Sequence, residues 1–176
     1  MKKNIVIFGN GKHANIVFDE LDRLKKYNIL GFVTKKNLIK YRKKNYKFED
    51  FYKKFKDKKI KGIIGIGDNN LRKKIAIEIE KLFPGFKWEI LISKDAIVSR
   101  KTKIGKGTVI ISGSVININT NIGKHCLINT KSTIDHDNSW GDFSSCGPGV
   151  NSAGSVKVKE FSHVGIGATI IEKHFT

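Results

Sequence analysis

The sequence predicts a small parallel α/β domain over residues 1–90, followed over 91–176 by a left-handed parallel β-helix. Three observations carry this. Aliphatic residues recur every six positions through the second half. Glycine or asparagine recurs there every eighteen. Ahead of the repeat, apolar strand-like runs alternate with amphipathic helical stretches.

The chain begins with a short apolar run, Asn4-Ile5-Val6-Ile7-Phe8. It follows two lysines as a signal peptide would, but it is too short for an apolar targeting core. It reads as a buried strand. Gly9-Asn10-Gly11-Lys12 is a tight turn, and 13–26 is a helix with Val17, Leu21 and Leu24 on one stripe. A second strand is expected over Ile29 to Val33, a short helix over 46–56, and a third strand over Ile60 to Ile66. Gly65-Ile66-Gly67-Asp68 ends that strand. A helix over 69–82 places Leu71, Ile75, Ile79 and Leu82 on one face, Pro84-Gly85 stops it, and 86–92 is a fourth strand. Strands alternating with helices make a Rossmann-like parallel sheet. The glycine turn after the first strand lies where such folds bind phosphates, at a helix N-terminus. Gly9-x-Gly11 lacks a third glycine, which argues against a dinucleotide, and the spacing alone fits a structural turn equally well.

The repeat begins at Val98 and continues through Ile104, Ile110, Ile116, Ile122, Ile128 and Ile134, all β-branched. It passes through Trp140, Cys146 and Ser152 and resumes at Val158, Val164 and Ile170. Four residues after most of these comes a small one, such as Thr108, Ser114, Thr120, Cys126 and Ser132. Helices repeat at 3.6 and strands at 2; a strict six is the period of a hexapeptide β-helix, in which three units complete one coil. Residues eighteen apart therefore stack. Gly105, Gly123 and Gly141 form one column; Asn129, Gly147 and Gly165 form another. Both are expected to hold the positive φ of a repeated corner. A β-sandwich of short strands is the competing architecture, and it supplies no reason for either period.

The 176 residues carry a formal charge of +18. Only Arg23, Arg42, Arg72 and Arg100 are arginines, so the excess is lysine spread over predicted surfaces. That pattern attracts phosphorylated ligands more readily than it reads nucleic acid through planar forks. No run approaches the roughly 18 apolar residues of a membrane span. Cys126 and Cys146 fall on buried repeat positions and read as reduced thiols of a cytoplasmic protein.

Particular stretches resemble a known family. They are Ile7-Phe8-Gly9-Asn10-Gly11-Lys12-His13-Ala14, Gly65-Ile66-Gly67-Asp68-Asn69, Ile128-Asn129-Thr130-Lys131-Ser132-Thr133-Ile134-Asp135-His136-Asp137, and Gly141-Asp142-Phe143. With the order of the two domains, these resemble the bacterial sugar acetyltransferases of the sialic-acid O-acetyltransferase and UDP-4-amino-sugar N-acetyltransferase type. The resemblance implies a homotrimer, acetyl-CoA held between neighbouring β-helices, and an N-terminal domain that binds the nucleotide-linked sugar. It makes His136 the general base, Asp137 the group that raises its basicity, and Asn129 a polar neighbour. It assigns Gly9, Gly11, Lys12, His13 and Gly67 to the substrate, and Gly154 and Ile166 to acetyl-CoA. No metal is implied. A neutral imidazole suits the proton that an attacking amine must lose; from the residues alone, His136 reads equally well as an exposed corner histidine.

Three departures from the family pattern stand out. Thr34-Lys35 occupies the place where an acidic pair often follows the second strand, which weakens a uridine assignment. Ser145 replaces a family histidine on the acetyl-CoA side; His163, eighteen residues on, should stack directly above it in the same groove. The same spacing puts Gly154 above His136. Family members usually run on for another coil or more beyond Ile170-Ile171-Glu172-Lys173-His174-Phe175-Thr176, so a shortened enzyme with an unpaired last edge is expected unless a trimer or terminal segment covers it. The function implied is acetyl-CoA-dependent transfer to a sugar amine in surface-glycan synthesis. A sugar hydroxyl is the close alternative acceptor. A zinc enzyme of the γ-carbonic-anhydrase type using His125, His136 and His163, and a non-catalytic sugar-nucleotide-binding remnant, are the alternatives of other classes.

Overall fold

The computed structural model describes residues 2–35, 44–55 and 59–172. The chain divides into two compact units, Met1–Glu89 and Ile90–Thr176.

The first unit is a five-stranded parallel sheet with the spatial order β3-β2-β1-β4-β5. Its elements are β1 (Lys3–Phe8), α1 (Lys12–Arg23), β2 (Tyr27–Thr34), β3 (Asn45–Lys47), α2 (Phe48–Phe55), β4 (Lys61–Ile64), α3 (Asn69–Leu82) and β5 (Lys87–Trp88). Ile5 to Phe8 are all buried, as a central parallel strand covered on both faces requires. Strand order reverses between β1 and β4, and ligands of such sheets bind outside the carboxyl ends of the strands at that point.

Three sequence expectations change here. The helix expected over 13–26 ends at Arg23, because Lys25 adopts φ 55° and turns the chain into β2. The helix expected from residue 46 starts at Phe48, since Asn45–Lys47 pairs with β2 as an unforeseen edge strand; residue 56 lies outside the described residues. The single strand expected over 86–92 is two. Lys87–Trp88 pairs with β4, whereas Leu91–Ile92 pairs with Val109–Ile110 in the second unit. Glu89, between them, is held by Tyr27 Oη at 2.9 Å and by the Lys61 ammonium.

The second unit is the expected left-handed parallel β-helix. Among the described residues, fourteen two-residue strands stack on three faces. One face carries Ile97–Val98, Val115–Ile116, Thr133–Ile134, Asn151–Ser152 and Thr169–Ile170. A second carries Lys103–Ile104, Asn121–Ile122, Ser139–Trp140 and Lys157–Val158. The third carries Leu91–Ile92, Val109–Ile110, Leu127–Ile128, Ser145–Cys146 and His163–Val164. The second residue of each pair points inward, giving a core of Ile110, Ile116, Ile122, Ile128, Ile134, Trp140, Cys146, Val158 and Ile170. Trp140 thus fills the interior where the aliphatic run lapses. The small residues act from inside: Thr108, Ser114 and Thr120 donate to the carbonyls of Gly123, Asn129 and Asp135, at 2.7, 2.9 and 2.9 Å, so each hydroxyl satisfies a corner carbonyl. Cys126 and Cys146 are buried and form no disulfide with one another.

The glycine columns have a different cause from the one expected. Positive φ falls two residues later, at Gly107, Gly113, Asn119, His125, Lys131, Asp137, Phe143, Gly149, Ser155, Phe161 and Gly167, all between 52 and 75°. Among the described residues, eight left-handed ones carry side chains, including Lys25 outside the repeat. The Gly105/Gly123/Gly141 column exists because successive coils touch there: a Cβ on Gly105 would lie 2.5 Å from the Gly123 carbonyl carbon, and one on Gly141 2.4 Å from the Glu160 nitrogen.

Among the described residues, no helix is long and apolar enough to cross a membrane. Residues 173–176 of the expected terminal segment lie outside those described.

Candidate active site

His136 sits at a corner of the second unit, two residues beyond the strand Thr133–Ile134. The corner is pinned from several directions. The Asn117 amide donates to Asp135 Oδ1 at 2.7 Å, and the His136 backbone N–H donates to the same oxygen at 2.8 Å. The Asn138 amide donates to the Ala153 carbonyl at 2.7 Å and to that of Asp135 at 2.9 Å. The Ser155 N–H donates to the His136 carbonyl at 3.0 Å. Asp137 takes the left-handed corner position, φ 58°, which turns its carboxylate back toward the preceding side chain.

That carboxylate meets the imidazole: His136 Nδ1 and Asp137 Oδ2 are 2.7 Å apart. A carboxylate only accepts, so Nδ1 carries the proton and Nε2 presents its lone pair outward. The Asp137 bond raises the His136 pKa above its ordinary value, with Asp135 adding to the effect. The same bond, with Asn119, holds Asp137 below the usual carboxylate range. Both side chains are about half exposed, so the imidazole is open to solvent.

Gly154 lies against the imidazole as its eighteen-residue spacing requires. A Cβ there would stand 2.7 Å from His136 Cε1 and 2.8 Å from Nε2, so any side chain would displace the ring. Ser145 and His163 are register partners on the third face, with Oγ and Nδ1 2.8 Å apart; Ser145 is buried and His163 exposed. The stacking expected from sequence spacing is therefore real. Asn129 is not bonded to His136: its Oδ1 accepts from its own neighbour, the Thr130 N–H, at 2.9 Å. Ile166 is exposed, and its backbone nitrogen passes over Gly147, where a Cβ would be 2.7 Å away. His125 is buried elsewhere, stacked on Phe143, which stacks on Phe161, with ring centroids 5.1 and 5.6 Å apart. Among the described residues of one chain, no three of His, Cys, Asp and Glu are grouped to hold a metal.

In the first unit, a cleft of about 510 Å³ opens at the β1/β4 switch point. Gly9, Gly11, Lys12, His13 and Gly67 all line it, so the five residues singled out from sequence are brought together. Gly9 has φ 105°, and a Cβ on it would lie 2.8 Å from the Ile66 side chain. Gly11 caps α1 without any side-chain bond, and no acidic residue occupies the helix's first turn. That leaves an electropositive helix N-terminus facing the cleft.

His13 is held to a pKa of about 4, by burial first and by the Arg72 charge second, so it is neutral near pH 7. Arg72 is buried beneath the second glycine turn, donating to the carbonyls of Ile66 and Gly67 at 3.1 and 2.9 Å and to Asn69 Oδ1 at 2.8 Å. Sequence reasoning missed this anchor, and the only hint was one of four arginines in a lysine-rich chain. It also missed Lys35, Lys74 and Glu78 as wall residues of the cleft.

Comparisons with known proteins agree with this architecture. Residues 4–79 match the PglD N-terminal domain family. GDP-perosamine N-acetyltransferase of Escherichia coli O157:H7 is 28% identical over 107 residues; the aligned stretch is 61% of this chain and 48% of that enzyme. The chain thus spans about half the length of the curated relative it matches. PerB from Caulobacter crescentus, solved with CoA and GDP-perosamine, shares 27% identity and superposes with a TM-score of 0.90 over 98% of this chain and 82% of its own. The acetyltransferase domain of PglB from Neisseria gonorrhoeae, solved with acetyl coenzyme A, shares the fold: TM-score 0.80, 20% identity, 99% of this chain and 96% of that domain. The first domain is thus similar in sequence to the PglD N-terminal domain, and the described length shares its fold with bacterial sugar N-acetyltransferases.

Proposed function

We propose that the chain transfers the acetyl group of acetyl-CoA to an amino group of a nucleotide-linked sugar, with His136 as the general base. The observation that carries this is the His136–Asp137 pair, set beside a glycine whose missing side chain leaves the imidazole in place. The bound ligands of PerB, CoA and GDP-perosamine, support both substrates and favour guanosine over the uridine expected from sequence.

Acetyl-CoA supplies an activated acyl carbon. The amine nitrogen attacks that carbon, the carbon–sulfur bond breaks to release CoA as its thiolate, and His136 Nε2 accepts the proton that the nitrogen loses. Asp137 holds the productive tautomer and stabilises the imidazolium that forms. Ser145, Gly154, His163 and Ile166 are assigned to the acetyl-CoA side. Asn129 is assigned to the surroundings of the base, acting through the shape of its corner rather than a bond to the ring. Gly9, Gly11, Lys12, His13 and Gly67 are assigned to the nucleotide sugar, the glycines by close backbone approach and Lys12 by charge. A homotrimer would give the exposed Ile97, Ile118 and Ile166 apolar partners and place the acetyl-CoA groove between subunits. Reduced buried cysteines and a cytosolic acyl donor fit a cytoplasmic enzyme of glycan synthesis.

The test is thiol release from acetyl-CoA with a panel of GDP- and UDP-linked amino sugars, run beside His136→Ala. Loss of a general base should lower kcat by about 10²–10⁴-fold. Equal rates in the two proteins would remove His136 from the mechanism.

A further inference from the structure

We propose that the Lys35–Glu78 ion pair reads the nucleotide base in the α/β cleft and selects guanine; this rests on the nucleotide-sugar reading above. The phosphate end of the cleft is defined by the glycine turn after β1, the uncapped N-terminus of α1 and Lys12. Lys35 follows β2, one strand away, and its ammonium is bonded to Glu78 Oε1 from α3. The same ammonium lies 5.0 Å from the centroid of the Phe48 ring. Val33, Phe48 and Ile75 add apolar wall on this side. A planar base seated against those walls would meet one cation and one carboxylate.

Among the described residues lining the cleft, Glu78 is the only carboxylate, against Lys12, Lys35 and Lys74. It is 29% exposed, and among the described residues its bonds run through Oε1, which leaves Oε2 for a ligand. Edge chemistry decides which base fits. Guanine presents N1–H and N2–H as adjacent donors, which suit a carboxylate, with the O6 acceptor beside them for the ammonium. Uracil offers a single N–H flanked by two carbonyls that a carboxylate would repel. Adenine and cytosine set an acceptor nitrogen next to their amino group. Glu78 thereby supplies from α3 the acidic group that the segment after β2 lacks, and Lys35 fixes its place.

The experiment is calorimetric binding of GDP, IDP, UDP and ADP to the full chain, wild type and Glu78→Gln. IDP differs from GDP only by lacking the 2-amino group. Expected is a wild-type preference for GDP over IDP of about tenfold or more, the size of one good paired contact. Larger preferences over UDP and ADP are also expected. Glu78→Gln should weaken GDP by about tenfold or more and should not weaken UDP. Wild type binding GDP and IDP equally, or binding UDP or ADP more tightly than GDP, overturns the base assignment and leaves the nucleotide-sugar reading intact. Unchanged GDP affinity in a folded Glu78→Gln protein also overturns it. The GDP/IDP ratio needs no variant, so a misfolded Glu78→Gln protein would not blunt the test. Failure of all four diphosphates to bind overturns the nucleotide-sugar reading itself.

Discussion

His136 gains its chemistry from its immediate neighbour. The Asp137 bond raises the imidazole pKa and holds the proton on Nδ1. A general base acts only when deprotonated, so the acid limb of kcat/KM should follow that raised value. In Asp137→Asn the limb should move to lower pH, because the chief cause of the upward shift is gone. The plateau should also fall, by roughly tenfold or more, because an amide can donate to Nδ1 and favour the wrong tautomer. The Michaelis constant for nucleotide sugar should hold. A limb that stays in place in Asp137→Asn would mean that another group titrates. Of the candidate site residues in the two units, His136 and Asp137 were legible from a local motif, and Gly154 and the Ser145–His163 pair from the eighteen-residue spacing. Arg72 was not: nothing in a local sequence window shows that an arginine on a helix is buried beneath a glycine turn.

At the scale of elements, the β-helix was legible because its period is enforced at every coil. Each strand pairs with those eighteen residues before and after it, so a lapse at Trp140 or Cys146 is carried by its neighbours. The α/β edges were less legible. Asn45–Lys47 forms a strand because β2 offers an open edge, not because three polar-leaning residues ask for one. The glycine columns give a test of which physical cause operates. In Gly141→Ala the new methyl would meet the Glu160 backbone at 2.4 Å, and backbone cannot rotate away. Destabilisation of about 1–3 kcal/mol in urea unfolding is expected, the usual effect of overpacking. Gly165→Ala has nothing within 4 Å of the new methyl and no positive φ, so it should change stability by less than about 0.5 kcal/mol. Equal destabilisation by both would show that backbone conformation, rather than close stacking, selects these glycines.

At the scale of the whole molecule, the dominant feature is charge: 34 basic against 16 acidic residues. The proposed ligands are anionic, and the cleft brings Lys12, Lys35 and Lys74 together with one carboxylate. Fields from the rest of the chain add to that local excess at low salt, when the screening length is about 30 Å, and vanish when it shrinks toward about 3 Å. Nucleotide binding should therefore weaken as salt rises, and should do so through its phosphates. Going from about 0.01 to about 0.5 M sodium chloride, GDP affinity is expected to fall by about tenfold or more, mostly through a slower association rate. Guanosine, which has the same base and no phosphates, should bind weakly and almost independently of salt. Lys74→Met should flatten the GDP response while leaving guanosine unchanged. A GDP affinity that is flat across that range would mean the lysine excess is surface composition without a role in capture. Guanosine weakening in parallel with GDP would trace the effect to the base end of the cleft, where Lys35 and Glu78 oppose one another.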